Sequence, residues 1–587
     1  MLFAIYARRK FRTAFIVLSS IASVFLLAAV PFRFSGSNWS IFWLLEAEVL
    51  FLTGLRMKES VFRRLGLIAG FAAAIQLAVA DVYPIILLRQ TQPDIHRHLA
   101  ISIALICGAI VYWFNSQFAP SRWTEIRESQ GDSSVLRFMS YLGLLAAMGA
   151  LWVFFPGSVT VVAWMLLAVL LGLVAEKLAS DDLTLQADML AASAFVRILV
   201  INLFIPGHWG SFSQRAVTVA ISAALFYCCT RRKSGSDVLH AAYIPAAYSW
   251  AGSTLLGLLV WYELRPISVA VGWGVLGLIL FEIGILRRRY YLRHQGYVLL
   301  AASFIRIFFA NLSAGGDSRF LNPPMYTVVP LIAAYFWVYE RLHAEAESPR
   351  FDRSIGNVAA WLGTTAAVAL SYFEFSPEWV VVVWSVLVLV LALAAWLLDR
   401  RIFLAQALSL LVAVAARAVL FNLFSAPPVA GSFWSSRLIC VGSACAVVLL
   451  ALPIGFRLRK LSADPALPGD AAGWVSIILS RPEQLLFFVP LLLLTTLLAV
   501  HMRAGMITVA WSALGIITFL FALLVQERTF RLAGLGLLLL GVGKILVIDM
   551  WNLAPTDRYI TLIVMGAALL LVSFLYTRYR EAILKLL

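Results

Sequence analysis

Four long cations stand near the ends of apolar runs, each 33 residues after a tryptophan: Trp164 and Arg197, Trp273 and Arg306, Trp384 and Arg417, Trp511 and Lys544. A fifth set, Trp43 and Gln76, keeps the spacing and loses the cation. Five residues further on come Asn202, Asn311, Asn422, Asp549 and Asp81. A guanidinium over an indole ring is a cation–π pair worth roughly 0.5–2 kcal/mol. Cations at this depth can hold anionic groups, and indoles can stack on sugar or apolar faces. Two plainer readings stay open. The tryptophans fit an interfacial belt, and the arginines can snorkel to the outer headgroups.

Gln186, Gln295 and Gln406 lie 22 residues after their tryptophans and 11 before their cations. Eleven residues are close to three helical turns, so Gln and Arg share a face. A stripe facing lipid should not be polar at both ends. The next position is small in all five copies, Gly66, Ala187, Gly296, Ala407 and Gly534, which permits close helix approach. Arg197, Arg306, Arg417 and Lys544, with Trp164, Trp273, Trp384, Trp511 and the three glutamines, therefore form the candidate binding set.

Glu46 and Glu48 are intramembrane carboxylates, functional candidates by default. Arg97, Arg215, Arg437 and Arg558, with Arg319 less closely placed, suggest a basic outer rim. Catalytic templates fail: there is no HExxH, Walker loop or GxSxG. Gly541-Val542-Gly543-Lys544 lies mid-span and lacks the first glycine of a phosphate loop. Asp181-Asp182 suits a helix N-terminus. The five cysteines form no CxxC pair. No catalytic residue, metal site or cofactor is expected.

The elements that must position these residues are membrane helices. Of 587 residues 62% are hydrophobic and 13% charged, against about 25% charged in a soluble chain. Apolar runs long enough to cross a hydrocarbon core of about 30 Å recur from end to end, and backbone that meets lipid must be helical. The net charge of +16 sits in short loops, where it sets topology, so nucleic acid is not an expected partner.

The recurring offsets predict an all-α polytopic integral membrane protein of about 20 transmembrane helices in five parallel four-helix repeats. Their bounds are 1–130, 131–235, 236–350, 351–460 and 475–587. Each repeat holds four helices, A to D, with the tryptophan in B and the cation in C. With the N-terminus inside, 33 of the 46 Lys and Arg fall on inner loops and ends and nine on the outer side. This positive-inside bias puts both termini in the cytoplasm. The run near Ala14 to Val30 reads as an uncleaved first span, long for a signal sequence.

Three stretches carry a family likeness: Asn38-Trp39-Ser40 through Trp43-Leu44-Leu45-Glu46-Ala47, Arg63-Arg64-Leu65-Gly66-Leu67 on to Asp81, and Arg531-Leu532-Ala533-Gly534-Leu535 on to Lys544 and Asp549. Through its repeats, nearly the whole chain resembles a family of uncharacterised bacterial many-span membrane proteins, a domain of unknown function. The resemblance implies a bacterial cytoplasmic (inner) membrane and brings no activity or catalytic residues. Members often carry a longer N-terminal segment with coiled-coil character, and no role resting on such a segment is expected here.

The leading functional expectation is binding or translocation of an amphiphilic or anionic envelope molecule, such as a lipid-linked or polysaccharide precursor. An outer-leaflet groove would hold its anionic groups on the cations and its apolar or sugar faces on the tryptophans. The alternative is a structural or assembly scaffold of an envelope membrane complex, with partner proteins on its lipid face. An intramembrane glycosyltransferase-like enzyme ranks below both because the outer loops are short. Membrane lipids are expected partners in every case.

Overall fold

The computed structural model describes residues 11–91, 99–124, 126, 129–232, 238–313, 322–345, 349–424, 435–462, 481–502, 504–549 and 555–578. The chain is an all-α multi-pass membrane protein. Among the described residues, thirteen helices are long and apolar enough to cross a membrane.

Two compact units divide the chain, Met1–Leu300 and Ala301–Leu587. The first holds α1 (Arg12–Arg33), α2 (Ser37–Arg56), α3 (Ser60–Gln76), α4 (Tyr83–Thr91), α5 (Leu99–Arg122), α6 (Gln130–Phe154), α7 (Thr160–Leu178), α8 (Asp181–Val200), α9 (Gln214–Cys229), α10 (Val238–Glu263) and α11 (Pro266–Leu286). Helix α12 (Tyr290–Arg306) spans the division. The second unit holds α13 (Pro323–Ala344), α14 (Arg350–Glu374), α15 (Val380–Leu398), α16 (Arg401–Arg417), α17 (Ser436–Leu450), α18 (Leu452–Ser462), α19 (Pro482–His501), α20 (Ala504–Val525), α21 (Arg528–Lys544) and α22 (Pro555–Arg578).

Tight hairpins are the building unit. Helices α2/α3, α7/α8, α15/α16 and α20/α21 pair along their lengths. Small residues let them close. A Cβ on Gly66 would stand 2.6 Å from the Phe51 nitrogen, and one on Gly534 2.8 Å from the Phe519 nitrogen. Ala187 and Ala407 take the same position elsewhere and are fully enclosed. The cores are aliphatic and aromatic. Leu44, Phe51, Leu105 and Tyr112 centre one cluster of the first unit, and Met165, Leu190 and Phe226 another. Val388, Leu411, Cys445 and Phe530 share a cluster in the second unit.

Each of these turns, and the one after α11, ends on a left-handed residue that is not glycine. Lys58, Ala179, Arg288, Asp399 and Gln526 have φ of 56°, 48°, 52°, 55° and 62°. Each stands 15 residues after its tryptophan. The next N–H then reaches back five residues, Glu59 to Gly54 at 2.9 Å, Ser180 to Ala175 at 3.1 Å, Arg289 to Gly284 at 2.9 Å and Arg400 to Ala395 at 3.2 Å. This bond closes the last helical turn as a Schellman cap does. A side chain in this conformation is strained, so Ala179→Gly should raise stability by up to about 1 kcal/mol. A thermal midpoint that stays level or falls would contradict the strain.

Helix α9 has 16 residues, about 24 Å at 1.5 Å per residue, and is shorter than the thirteen long apolar helices. Before it, β1 (His208–Trp209) pairs antiparallel with β2 (Phe212–Ser213). The turn between them uses Gly210 at φ +61°, a conformation that glycine adopts freely.

Candidate functional site: the repeated tryptophan, cation and glutamine positions

All five indoles are engaged in the same way. Trp43 donates to the Leu27 carbonyl at 2.8 Å, Trp164 to Met148 at 3.1 Å and Trp273 to Gly257 at 2.8 Å. Trp384 donates to Val368 at 3.3 Å and to the Ser371 hydroxyl at 3.0 Å, and Trp511 donates to the Thr495 carbonyl at 3.0 Å. The carbonyl lies 16 residues before the tryptophan each time, on the preceding helix. An indole N–H in a membrane has no water to bond. A helix carbonyl keeps a second lone pair for it.

The glutamines are buried against the helix that receives the indole. Gln186 donates Nε2 to Ser140 at 2.7 Å and accepts from Trp113 at 2.9 Å. Gln295 accepts from Ser253 at 2.6 Å and donates to Ser249 at 3.0 Å. Gln406 accepts from Thr364 at 3.0 Å. Their amides sit in contacts between helices.

Two of the cations, Arg197 and Arg417, reach the turn before their hairpin. Arg197 donates to the Gly157 carbonyl at 3.0 Å, and Asn202 to the next carbonyl, Ser158, at 2.9 Å. Arg417 repeats this on Pro377 at 2.9 Å, with Asn422 on Glu378 at 2.9 Å. Lys544 donates to the Thr508 hydroxyl at 3.0 Å. In the first copy Asp81 is an acceptor instead, taking the Ser40 hydroxyl.

The expected cation–π pair forms at Arg197, 5.4 Å from the Trp164 ring centroid. Arg417 instead lies 3.8 Å from Phe421 and 5.6 Å from Tyr372.

A backbone device that the sequence does not announce sets these residues side by side. Directly after Gln76, Arg306, Arg417 and Lys544 the helix widens into π-turns over Leu77–Val82, Ile307–Asn311, Ala418–Leu423 and Ile545–Asp549. In an α-helix, five residues overshoot one turn by about 140°. A π-turn closes i→i+5 bonds, so five residues come close to one turn and the cation and its Asn or Asp share a side. The second copy solves the same problem by breaking the helix at Ile201 and starting a 3₁₀ turn at Asn202.

Other expected positions are likewise engaged. Of the rim cations, Arg215 pairs with Glu263 at 2.8 Å and donates to the Leu203 and Tyr262 carbonyls at 3.1 and 3.0 Å. Burial alone pushes the Glu263 carboxyl up, but bonds from Arg215 and Ser213 outweigh it and hold it below the usual range. Arg97, Arg319 and the side chain of Arg558 lie outside the described residues. Glu48 accepts from Asn115 at 2.6 Å. Ser180 caps α8 and leaves Asp181 and Asp182 in its first turn. Among the described residues no group of three or more His, Cys, Asp or Glu is placed to hold a metal.

Residues 474–579, which contain the last hairpin with Trp511 and Lys544, match the family described as Predicted membrane protein (DUF2339). That part of the chain is similar to a membrane protein family of unknown function. No curated protein and no solved structure matches the chain.

Proposed function

We propose that the chain is a membrane scaffold and not an enzyme. In this reading five four-helix units, about twenty spans in all, lie in a bacterial inner membrane with both ends in the cytoplasm. Their lipid-facing surface receives partner membrane proteins. One observation carries the reading: the repeated side chains are engaged within the chain. The indoles bond helix carbonyls, the glutamines bond buried hydroxyls, and Arg197 and Arg417 brace turn carbonyls. The fivefold repeat is supported by the five indole bonds at one offset.

A groove for an anionic envelope molecule, such as a lipid-linked or polysaccharide precursor, is the second reading. Arg417 favours it. Its guanidinium is half-buried, and its Nε carries no hydrogen bond among the described residues.

One variant separates the two. Arg197→Gln, Arg306→Gln, Arg417→Gln and Lys544→Gln are combined, and thermal stability and function are measured together. The scaffold reading expects a lower melting temperature and less folded protein. Full stability with lost function would overturn it in favour of the groove.

A further inference from the structure

Helices α6, α10 and α14 lie along the helices just before them, α5, α9 and α13, and α19 lies against α17. The close approach uses one position each time. Five residues before the carbonyl that takes the indole stand Gly143, Gly252 and Gly363. A Cβ on Gly143 would meet the Ala109 carbonyl and Tyr112 at 3.3 Å, one on Gly252 the Tyr227 ring at 3.0 Å and one on Gly363 the Phe336 ring at 3.1 Å. Helix α19 has Pro490 there, also buried. The positions four residues earlier and three later extend the stripe, because i, i+4 and i+7 share a face. The earlier one holds Met139, Tyr248, Ala359 and Leu486, none more than 7% exposed. The later one holds Ala146, Leu255, Ala366 and Leu493, none more than 9% exposed.

Helix α1 carries the same stripe and leaves it open. Its small residue is Ala22, flanked by Leu18, 40% exposed, and Phe25, 70% exposed. The face that α1 does bury turns toward its own hairpin, through Phe15 on Phe62 and the Leu27 carbonyl on the Trp43 indole. A counterpart to the open stripe lies on α22. The rings that cover Gly252 and Gly363, Tyr227 and Phe336, each stand 63 residues after a tryptophan, Trp164 and Trp273. Phe574 on α22 stands 63 after Trp511. Helix α17, whose neighbour has Pro490 in place of glycine, has Val447 at that offset. Tyr227 and Phe336 are partly covered, whereas Phe574 is 59% exposed. One turn before it Leu570 is 73% exposed, where the equivalent Ala223 of α9 is enclosed against Gly252.

We propose that α22 of a second copy docks on the Leu18, Ala22 and Phe25 face of α1, with the Phe574 ring on Ala22. The contact continues between chains the helix pairing that the chain repeats within itself. In lipid such pairs are held by close packing at small residues, which Ala22 permits. The contact joins two different surfaces, so it runs head to tail and ends only by closing a ring. Self-association of this kind holds for a scaffold and for a binder alike, and its failure would leave the proposed function as it stands.

The test uses two full-length copies in the native membrane. One carries a photo-crosslinking amino acid in place of Phe25, and the other carries an affinity tag and no probe. Crosslinked segments are sequenced by mass spectrometry. The expected product joins α1 of the probe copy to α22 of the tagged copy. Its yield should fall by about tenfold or more with Ala22→Leu on the probe copy, since a bulky side chain at a close-approach position holds helices apart. Val24→Leu is the control: Val24 is 60% exposed on a third face of α1, and the yield should not change. Crosslinks to lipid alone, to another protein, within one copy or to another helix of the tagged copy overturn the proposal, and so does a yield indifferent to Ala22→Leu. The product with Ala22 intact decides even if Ala22→Leu does not fold.

Discussion

Replacing Arg63 with Leu while Asp132 remains should destabilise the protein by roughly 3–5 kcal/mol, the loss seen when one member of a buried pair is removed. The two side chains are 8% and 6% exposed, so little water can reach the carboxylate, and the cation left beside it is the largely solvated Arg64 at 3.7 Å. Removing both charges, Arg63→Leu with Asp132→Leu, should recover most of the loss, because apolar groups of similar size satisfy each other. Reversible unfolding in mixed micelles measures both. A single-variant loss below about 1 kcal/mol would mean a pair open to solvent. The pair fastens α3 to α6, so its loss should release two hairpins from each other and leave each one formed.

Gly66→Leu is the second large effect. The first atom of the new side chain would meet the Phe51 nitrogen at 2.6 Å and the Ala47 carbonyl at 2.8 Å. Backbone cannot rotate away as a side chain can, so α2 and α3 must separate. Overpacking usually costs about 1–3 kcal/mol. Here the clash is with main chain along a whole hairpin, so little folded protein should remain. Gly66→Ala should be milder, since Ala187 and Ala407 fill the equivalent position. Gly536→Leu is the control: a Cβ there meets nothing within 4 Å. Equal losses at Gly66 and Gly536 would show that glycine in a helix matters here for reasons other than close packing.

The spacing of Trp, cation and Asn was legible, and so was the small position beside each glutamine. Both are set by which face of a helix touches a neighbour, and periodicity records that directly. The partners were not legible. The indole carbonyls at Leu27, Met148, Gly257, Val368 and Thr495 are main-chain atoms, and no side-chain pattern marks them. Ser140, Ser249, Ser253 and Thr364 were visible as polar residues in apolar helices, yet only packing assigns them to the glutamines.

Reading Gln and Arg as one polar face led to a groove. The glutamines in fact point into helix contacts, and Arg197 and Arg417 turn toward the preceding loop. The π-turns left one trace, an offset of five between cation and Asn that an α-helix would not place on one side. The left-handed turn residues left none, because Lys58, Ala179 and Arg288 are not residues that favour φ above zero.

What separates a scaffold from a binder most directly is what stays with the intact protein. Extraction from its own membrane into native nanodiscs, followed by mass spectrometry of everything retained, measures this. The account predicts a stoichiometric membrane-protein partner surrounded by bulk lipid. A specific anionic lipid or glycolipid, held without any protein partner and lost when Arg197, Arg306, Arg417 and Lys544 are replaced, would contradict it.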